Sequence, residues 1–142
     1  MQSTVVDSPA VRRARRLLLA LPLAAALACG EDDILPPPSP VLCSGSAAAR
    51  VGPGTTPMIS WSPSCAVHRI QVVQSGDAGP REVWHVRRAA GIVSGVRYGG
   101  AIAGATVVVG PEALVAGRAA TLVLLMEVDG SFMPIGGASF TP

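Results

Sequence analysis

Short apolar segments separated by turn-forming residues constrain this chain most. From Val41 onward, apolar stretches alternate with Gly, Pro, Ser and Asp, and none keeps the 3.6-residue period of an amphipathic helix. Short strands at this spacing, with turn residues between them, are typical of a β-sandwich or barrel. The fold class is therefore predicted to be all-β. The candidate strands are Val41–Ser44, Met58–Ser62, Val67–Gln74, Glu82–Arg88, Ile92–Tyr98, Thr106–Val109, Ala119–Val128 and Phe132–Phe140.

Alternation within the candidate strands supports this prediction. Successive side chains of a strand point to opposite faces of its sheet. In the segment before the first Gly-Asp turn, Ile70 and Val72 point one way, while Arg69 and Gln71 point the other.

The next segment behaves in the same way. Trp84 and Val86 share a face, opposed by Val83, His85 and Arg87. An Asp-Gly pair between apolar runs is a strong hairpin signal, which the C-terminal part carries at residues 129–130.

The N-terminal segment has the anatomy of an export signal. Four arginines within Arg12–Arg16 precede the apolar run Leu17–Ala28, which ends in small residues just before Cys29. Twelve residues rise only about 18 Å as a helix, which is too short for a bilayer core of about 30 Å. Cleavage is therefore favoured over a membrane-spanning helix.

A cysteine directly after such small residues resembles the lipobox of bacterial lipoproteins. The resemblance implies cleavage between Ala28 and Cys29, and attachment of a diacylglycerol to the Cys29 sulfur. The protein would then be exported and attached to the cell envelope through its lipid. The alternative is an ordinary secretory signal ending near Ala28, which leaves a soluble protein with a free Cys29.

These features divide the chain into three predicted parts. Residues 1–28 are the signal peptide, residues 29–40 are the lipidated cysteine with a Pro-rich tether, and residues 41–142 are the β-sandwich domain. In enterobacterial lipoproteins an Asp after the lipidated cysteine signals retention in the inner membrane. Gly30 at that position indicates the outer membrane if the source is Gram-negative.

Charge argues against nucleic acid as a partner. The full chain has a net charge of +2, but four arginines and Asp7 lie in the predicted signal peptide. The seven basic and eight acidic residues that remain give −1. Binding to nucleic acid requires a clustered basic surface, for which the composition gives no support.

Two cysteines remain after Cys29 has received its lipid. In an exported chain, Cys43 and Cys65 are most simply explained as one disulfide. Closing a loop of about 23 residues would stabilise the fold by roughly 3 kcal/mol. The alternative is a metal site that also uses His68, the one histidine nearby in sequence.

Residues 56–140 resemble a fibronectin type III-like sandwich of about seven strands, related to immunoglobulin-like domains. Thr56 to Pro63 resembles the second strand of that family, in which a Trp, here Trp61, packs between the sheets. Leu114 to Gly117 resembles the crossing before the sixth strand, in which a Leu fills the core and a Gly makes the turn. The family's Tyr, six residues after that Leu, is Ala120 here.

No catalytic constellation is visible. His68 and His85 lack the spacing of metal ligands, and no Gly-x-Ser-x-Gly elbow is present. The sequence therefore predicts no enzyme activity, no catalytic residues, no metal site and no cofactor. Trp84 and Tyr98 are candidates for contact with a partner, because an exposed aromatic patch marks an interaction site.

The sequence thus predicts a cell-envelope lipoprotein that presents a small β-sandwich as a binding or structural module. Its partners would be the membrane, through lipid on Cys29, and a protein or an envelope polymer. Strand addition at an exposed sheet edge is one physical mode of binding. The alternatives are a small periplasmic enzyme or metal-handling lipoprotein that uses Cys43, Cys65 and His68, and an accessory subunit of an envelope complex.

Overall fold

The computed structural model describes residues 38–142, and the predicted signal peptide, Cys29 and most of the tether lie outside that range. The described part contains strands and loops only, so the all-β prediction is confirmed. The strands are β1 (Ala48–Val51), β2 (Met58–Ser62), β3 (Val67–Gly76), β4 (Gly79–Ile92), β5 (Val96–Arg97), β6 (Thr106–Val109), β7 (Ala120–Val128) and β8 (Ser131–Phe140).

Two antiparallel sheets form a sandwich-like arrangement. One has three strands in the order β1-β2-β5, and the other has five in the order β6-β4-β3-β7-β8. Side chains of both sheets form one buried cluster, which includes Ile59 and Trp61 of β2 together with Ile70, Trp84 and Leu124 of the larger sheet. The core therefore lies between the sheets, where it removes apolar surface from water on both sides.

Period-two alternation explains how each strand contributes to this core. In β2, Ile59 and Trp61 are buried, while Met58, Ser60 and Ser62 are exposed. The Trp61 indole N–H donates to the Cys65 carbonyl at 2.7 Å, so its polar atom has a partner. The position that the family resemblance assigned to Trp61, between the sheets, is the one that it occupies.

One face assignment in β4 is wrong. Trp84 and Val86 share the inner face as predicted, but Val83, placed on the opposite face, is 1% exposed and belongs to the core. The register shifts there, because Trp84 pairs with Val72 and Glu82 pairs with Val73, which leaves Val83 as the extra residue of a bulge. Strict alternation fails at a bulge, since two residues of one strand then oppose one on the other.

The strand predictions fail at two other places. Segment 41–44 makes only an isolated bridge, Leu42 to Ala66, and the first strand is instead Ala48–Val51. The predicted strand over residues 92–98 is divided, because Gly95 has a φ of 95° that interrupts extended backbone.

A tight hairpin joins β3 to β4, and both strands extend to its turn, with Ser75 paired with Pro80 and Gly76 with Gly79. The predicted Asp-Gly hairpin is confirmed, with positive φ at Asp129 and Gly130 and pairing of Val128 with Ser131.

The two sheets meet along one side, where the chain before β1 lies against β8. The Ala47 N–H donates to the Ile135 carbonyl at 2.8 Å. A Cβ at Gly136 would lie 2.0 Å from the Ala47 carbonyl oxygen, so only glycine allows this approach.

A loop between β6 and β7 crosses the other end of the sandwich. Leu114 is 4% exposed and joins the core, at the position that the family resemblance implies. Gln74, itself buried, fixes this loop, because its amide accepts from the Val115 N–H and donates to the Val115 carbonyl, each at 3.1 Å. Gly117 makes the following turn with a φ of 78°.

Candidate functional site

The outer face of the five-stranded sheet carries a cluster of arginines. Arg69 of β3 and Arg87 of β4 are direct cross-strand partners, and Arg88 follows on β4. Like charges directly opposite each other on neighbouring strands destabilise a sheet. The pairing of two guanidinium groups here is therefore unfavourable for folding unless another group offsets their charge.

Arg69 is held against an aromatic ring. The central carbon of its guanidinium lies 3.5 Å from the centroid of the Phe132 ring, the distance of a cation–π contact. The contact crosses from β3 to β8 over the intervening strand β7. Arg69 Nε is buried and has no hydrogen-bond partner among the described residues.

A pocket of about 340 Å³ opens beside this cluster. We call it the arginine pocket, and the lining residues that matter for binding are His68, Arg87, Arg88, Thr106, Glu127 and Phe132. Its size lies at the small end of the range of ligand sites, which starts at about 300 Å³. It could therefore hold one small ligand, or one unit of a larger one.

Hydrogen bonds within the lining fix which atoms face a ligand. His68 Nδ1 accepts from the Glu127 N–H at 3.0 Å, so a neutral His68 carries its proton on Nε2 and can donate there. One amino group of Arg88 donates to the Gly91 carbonyl at 2.9 Å, and the other donors of that guanidinium stay available. The pocket thus offers several donors and the single carboxylate of Glu127.

A buried histidine lies next to the cluster on the same sheet. His85 is 6% exposed, and its Nδ1 lies 3.1 Å from a Glu82 carboxylate oxygen. Burial lowers the pKa of His85 most strongly; Glu82 opposes this, and the nearby Arg69 and Arg87 guanidinium groups lower the pKa further. His85 is therefore neutral at pH 7, with Nε2 buried and without a partner in the described part of the chain.

The prediction that Trp84 and Tyr98 contact a partner is wrong. Trp84 is 1% exposed and Tyr98 is 5% exposed, and their rings pack edge to face with centroids 5.2 Å apart. The Tyr98 hydroxyl lies 2.8 Å from the Glu112 carbonyl and 3.1 Å from the Val83 carbonyl, so its polar end is satisfied inside the protein. Neither side chain is available to a partner in this fold, because each faces the space between the sheets.

The disulfide prediction is confirmed. Cys43 and Cys65 are bonded to each other, with their Cα atoms 4.8 Å apart. The bridge ties the chain that precedes β1 to the loop before β3, next to the Leu42–Ala66 bridge. Because both sulfurs are used, neither serves as a thiolate ligand or nucleophile beside His68 in this structure.

The sequence indicates which residues share a face of each strand, but it does not identify the site. Alternation places Arg69 opposite Ile70 in β3 and Arg87 opposite Trp84 in β4, and leaves open which face is buried. The contact between the two arginines depends on the β3–β4 register, and the contact of Arg69 with Phe132 depends on the position of β8. The adjacent arginines Arg87 and Arg88, close to His85 in sequence, were the signal from which the pocket could have been predicted.

An exposed strand edge borders the arginine pocket. β6 begins at Thr106 and pairs with β4, and it has no second strand partner among the described residues. Val107 is 57% exposed and Val108 is 49% exposed. An unpaired edge presents backbone N–H and carbonyl groups on which another chain can form hydrogen bonds.

Comparisons with known proteins add no relative. The chain matches no family model, no curated protein and no solved structure. Within residues 38–142, no helix has the length and apolar character that crossing a membrane requires. In that same part, no group of three or more His, Cys, Asp or Glu side chains is placed to hold a metal ion.

Proposed function

We propose that this protein is an exported lipoprotein, anchored to the cell envelope through Cys29, whose β-sandwich is a non-catalytic binding module. In this proposal residues 1–28 are removed, residues 29–40 form the tether, and the domain reaches a protein or an envelope polymer. The outer membrane is the site of attachment in a Gram-negative host, because Gly30 replaces the Asp that retains enterobacterial lipoproteins in the inner membrane.

The arginine cluster on an open sheet face is the observation that carries the binding function. Arg87 is exposed, and it lies opposite Arg69 in an arrangement that costs folding free energy. Protein surfaces that give up stability in this way are typical of sites shaped for a ligand. The disulfide agrees with an oxidising compartment, in which such bonds persist.

The strand order supports a relation to the immunoglobulin and fibronectin type III sandwiches. In immunoglobulin-type domains, strands A, B and E share one sheet, while C, F and G share the other. Here β1, β2 and β5 form the smaller sheet, while β3, β7 and β8 are consecutive in the larger one. Domains of this architecture commonly act as interaction modules on cell surfaces.

Anchoring is tested by comparing the wild-type chain with Cys29→Ala in a bacterial host. We expect the wild-type protein to begin at Cys29, to carry the added mass of acyl chains, and to partition into detergent. The Cys29→Ala protein should carry no lipid and should stay in the aqueous phase, with its sandwich still folded. A full-length, unmodified wild-type chain that remains in the aqueous phase would contradict the proposal.

A further inference from the structure

The arginines of the outer sheet face form no ion pair with a carboxylate of the described residues. Arg118 binds both carboxylate oxygens of Asp77, at 2.9 and 3.1 Å, and Arg81 pairs with Glu112. In contrast, no described carboxylate lies within ion-pair distance of Arg69, Arg87 or Arg88, and Glu82 is engaged by His85. The cluster is therefore a concentration of positive charge that an anionic ligand would neutralise.

The surroundings of the cluster point the same way. Burial is the largest cause of the lowered pKa of His85; Glu82 opposes it, and the guanidinium groups of Arg69 and Arg87 add to it, so both arginines act at this position of the sheet. Phe132 holds the Arg69 guanidinium in a fixed position through the cation–π contact. A ligand group that carries negative charge would therefore meet an arrangement of donors that is already ordered.

The lining residues favour one kind of anionic ligand, a carboxylate on a molecule with several hydroxyl groups. Guanidinium groups bind carboxylates and phosphates through paired hydrogen bonds. Glu127 also lines the pocket, and its negative charge disfavours a doubly charged phosphate while it accepts hydrogen bonds from hydroxyl groups. Thr106 and the Nε2–H of His68 supply further partners for hydroxyl oxygens.

We propose that the arginine pocket binds a carboxylate-bearing sugar unit of an envelope polysaccharide, an inference that rests on the proposed role of the sandwich as a binding module. The sugar carboxylate binds Arg87 and Arg88, and its hydroxyls bind Glu127, Thr106 and His68. A pocket of about 340 Å³ has room for one sugar unit. A free amino acid such as alanine has no hydroxyl groups and would leave Thr106 and His68 without partners.

Saturation-transfer NMR on the full chain in detergent micelles tests this inference. The probes are glucuronate, galacturonate and N-acetylmuramate, with glucose, glucose 6-phosphate and alanine as comparisons. We expect saturable transfer to at least one acidic sugar, and none to glucose or alanine. Absence of transfer to all three acidic sugars would overturn the inference, as would equal binding of glucose, glucose 6-phosphate or alanine.

Variants assign the binding to the pocket. Arg87→Gln should weaken acidic-sugar binding at least about tenfold, because it removes a charge-assisted hydrogen bond. The matched control is Arg50→Gln, at an exposed arginine of β1 on the other sheet, which should bind as the wild type does. Equal losses in both variants would overturn the assignment, since a nonspecific charge effect would then explain the binding.

Two further measurements distinguish a loss of ligand binding from a loss of folding, and ligand selection by Glu127 from a general effect of charge. Arg87→Gln should leave the unfolding midpoint unchanged or raise it, because it relieves the repulsion with Arg69. Glucose 6-phosphate should show no transfer with the wild type and saturable transfer with Glu127→Gln, because the variant lacks the carboxylate charge that disfavours phosphate. Absence of transfer in both proteins would overturn the role of Glu127 in selecting the ligand. The binding assays do not test membrane anchoring. A protein that is lipidated but binds no acidic sugar therefore contradicts the sugar-binding inference and leaves the proposed anchoring intact.

Discussion

The two faces of the five-stranded sheet are built from the same strands and have opposite chemistry. The inner face presents Ile70, Val72 and Trp84, each at most 1% exposed, to the smaller sheet. The outer face presents Arg69 and Arg87 at neighbouring positions of the same strands. Because side chains alternate, one strand supplies core and surface at once, and selection can act on the two faces separately.

The faces also differ in how well their polar groups are satisfied. The Tyr98 hydroxyl, which lies among the core side chains, reaches two backbone carbonyls. On the outer face, His85 Nε2 and Arg69 Nε are buried without partners in the part that the structure describes. Buried polar groups are usually satisfied, so these two nitrogen atoms mark positions where an ordered water or a ligand atom would find a hydrogen-bonding partner.

Truncating one side chain on each face gives the largest expected contrast. Trp84→Ala should lower the free energy of unfolding by about 3–5 kcal/mol, because it leaves a cavity and removes the contact with Tyr98. Arg87→Ala should change it by no more than about 0.5 kcal/mol, since the side chain is exposed. Urea unfolding of both variants measures the difference, and similar midpoints would show that the outer face contributes to stability as the core does.

The loss of stability at alkaline pH should report on the inner face, through the buried Tyr98. Burial, with Glu112 adding to it, raises the pKa of Tyr98 to about 12. The unfolded chain releases that proton near pH 10, so stability is complete below pH 10 and declines as the pH approaches 12. The chain has one Tyr and no Lys, so few other side chains titrate in this window.

The expected loss is on the order of 2 kcal/mol by pH 12, measured as the shift of the urea midpoint between pH 9 and pH 12. Tyr98→Phe lacks the hydroxyl proton and should reduce this loss. At pH 7 it should also lower stability by about 1 kcal/mol, because the buried carbonyls lose a donor. A Tyr98→Phe protein with the alkaline loss of the wild type would assign that loss to other groups.

How much of this comparison the sequence could predict depends on the range of the contacts. Alternation is local, so the sequence alone placed Ile70 on the face opposite Arg69, and Trp84 on the face opposite Arg87. The hairpin at Asp129 was predictable for the same reason, since an Asp-Gly pair favours the positive φ values that its turn needs.

The missed features depend on pairing between distant segments. β1 has weak strand-forming residues, Ala-Ala-Arg-Val, and exists because it pairs with β2 and lies against β8. The bulge at Val83 arises from the β3–β4 register. The arginine pocket needs residues of β3, β4, β6, β7 and β8 together, which no local pattern of one strand contains. Trp84 was considered for the surface because its residue type fits an interface as well as a core.

The loss of stability at acid pH should report on the outer face, through His85, and it should be smaller than the loss at alkaline pH. Because the pKa of His85 is lowered in the folded protein, the unfolded chain binds a proton near pH 6.5 before the folded chain does. Stability should therefore be complete above pH 6.5 and fall as the pH drops toward 5, before most carboxylates titrate. Burial is the main cause of this lowered pKa, Glu82 opposes it, and Arg69 and Arg87 add to it. His85→Gln should reduce the loss of stability in urea unfolding between pH 5 and pH 7, while Tyr98→Phe should retain it. If His85→Gln instead keeps the wild-type decline, the outer face holds no strained histidine, and the two faces differ in charge alone.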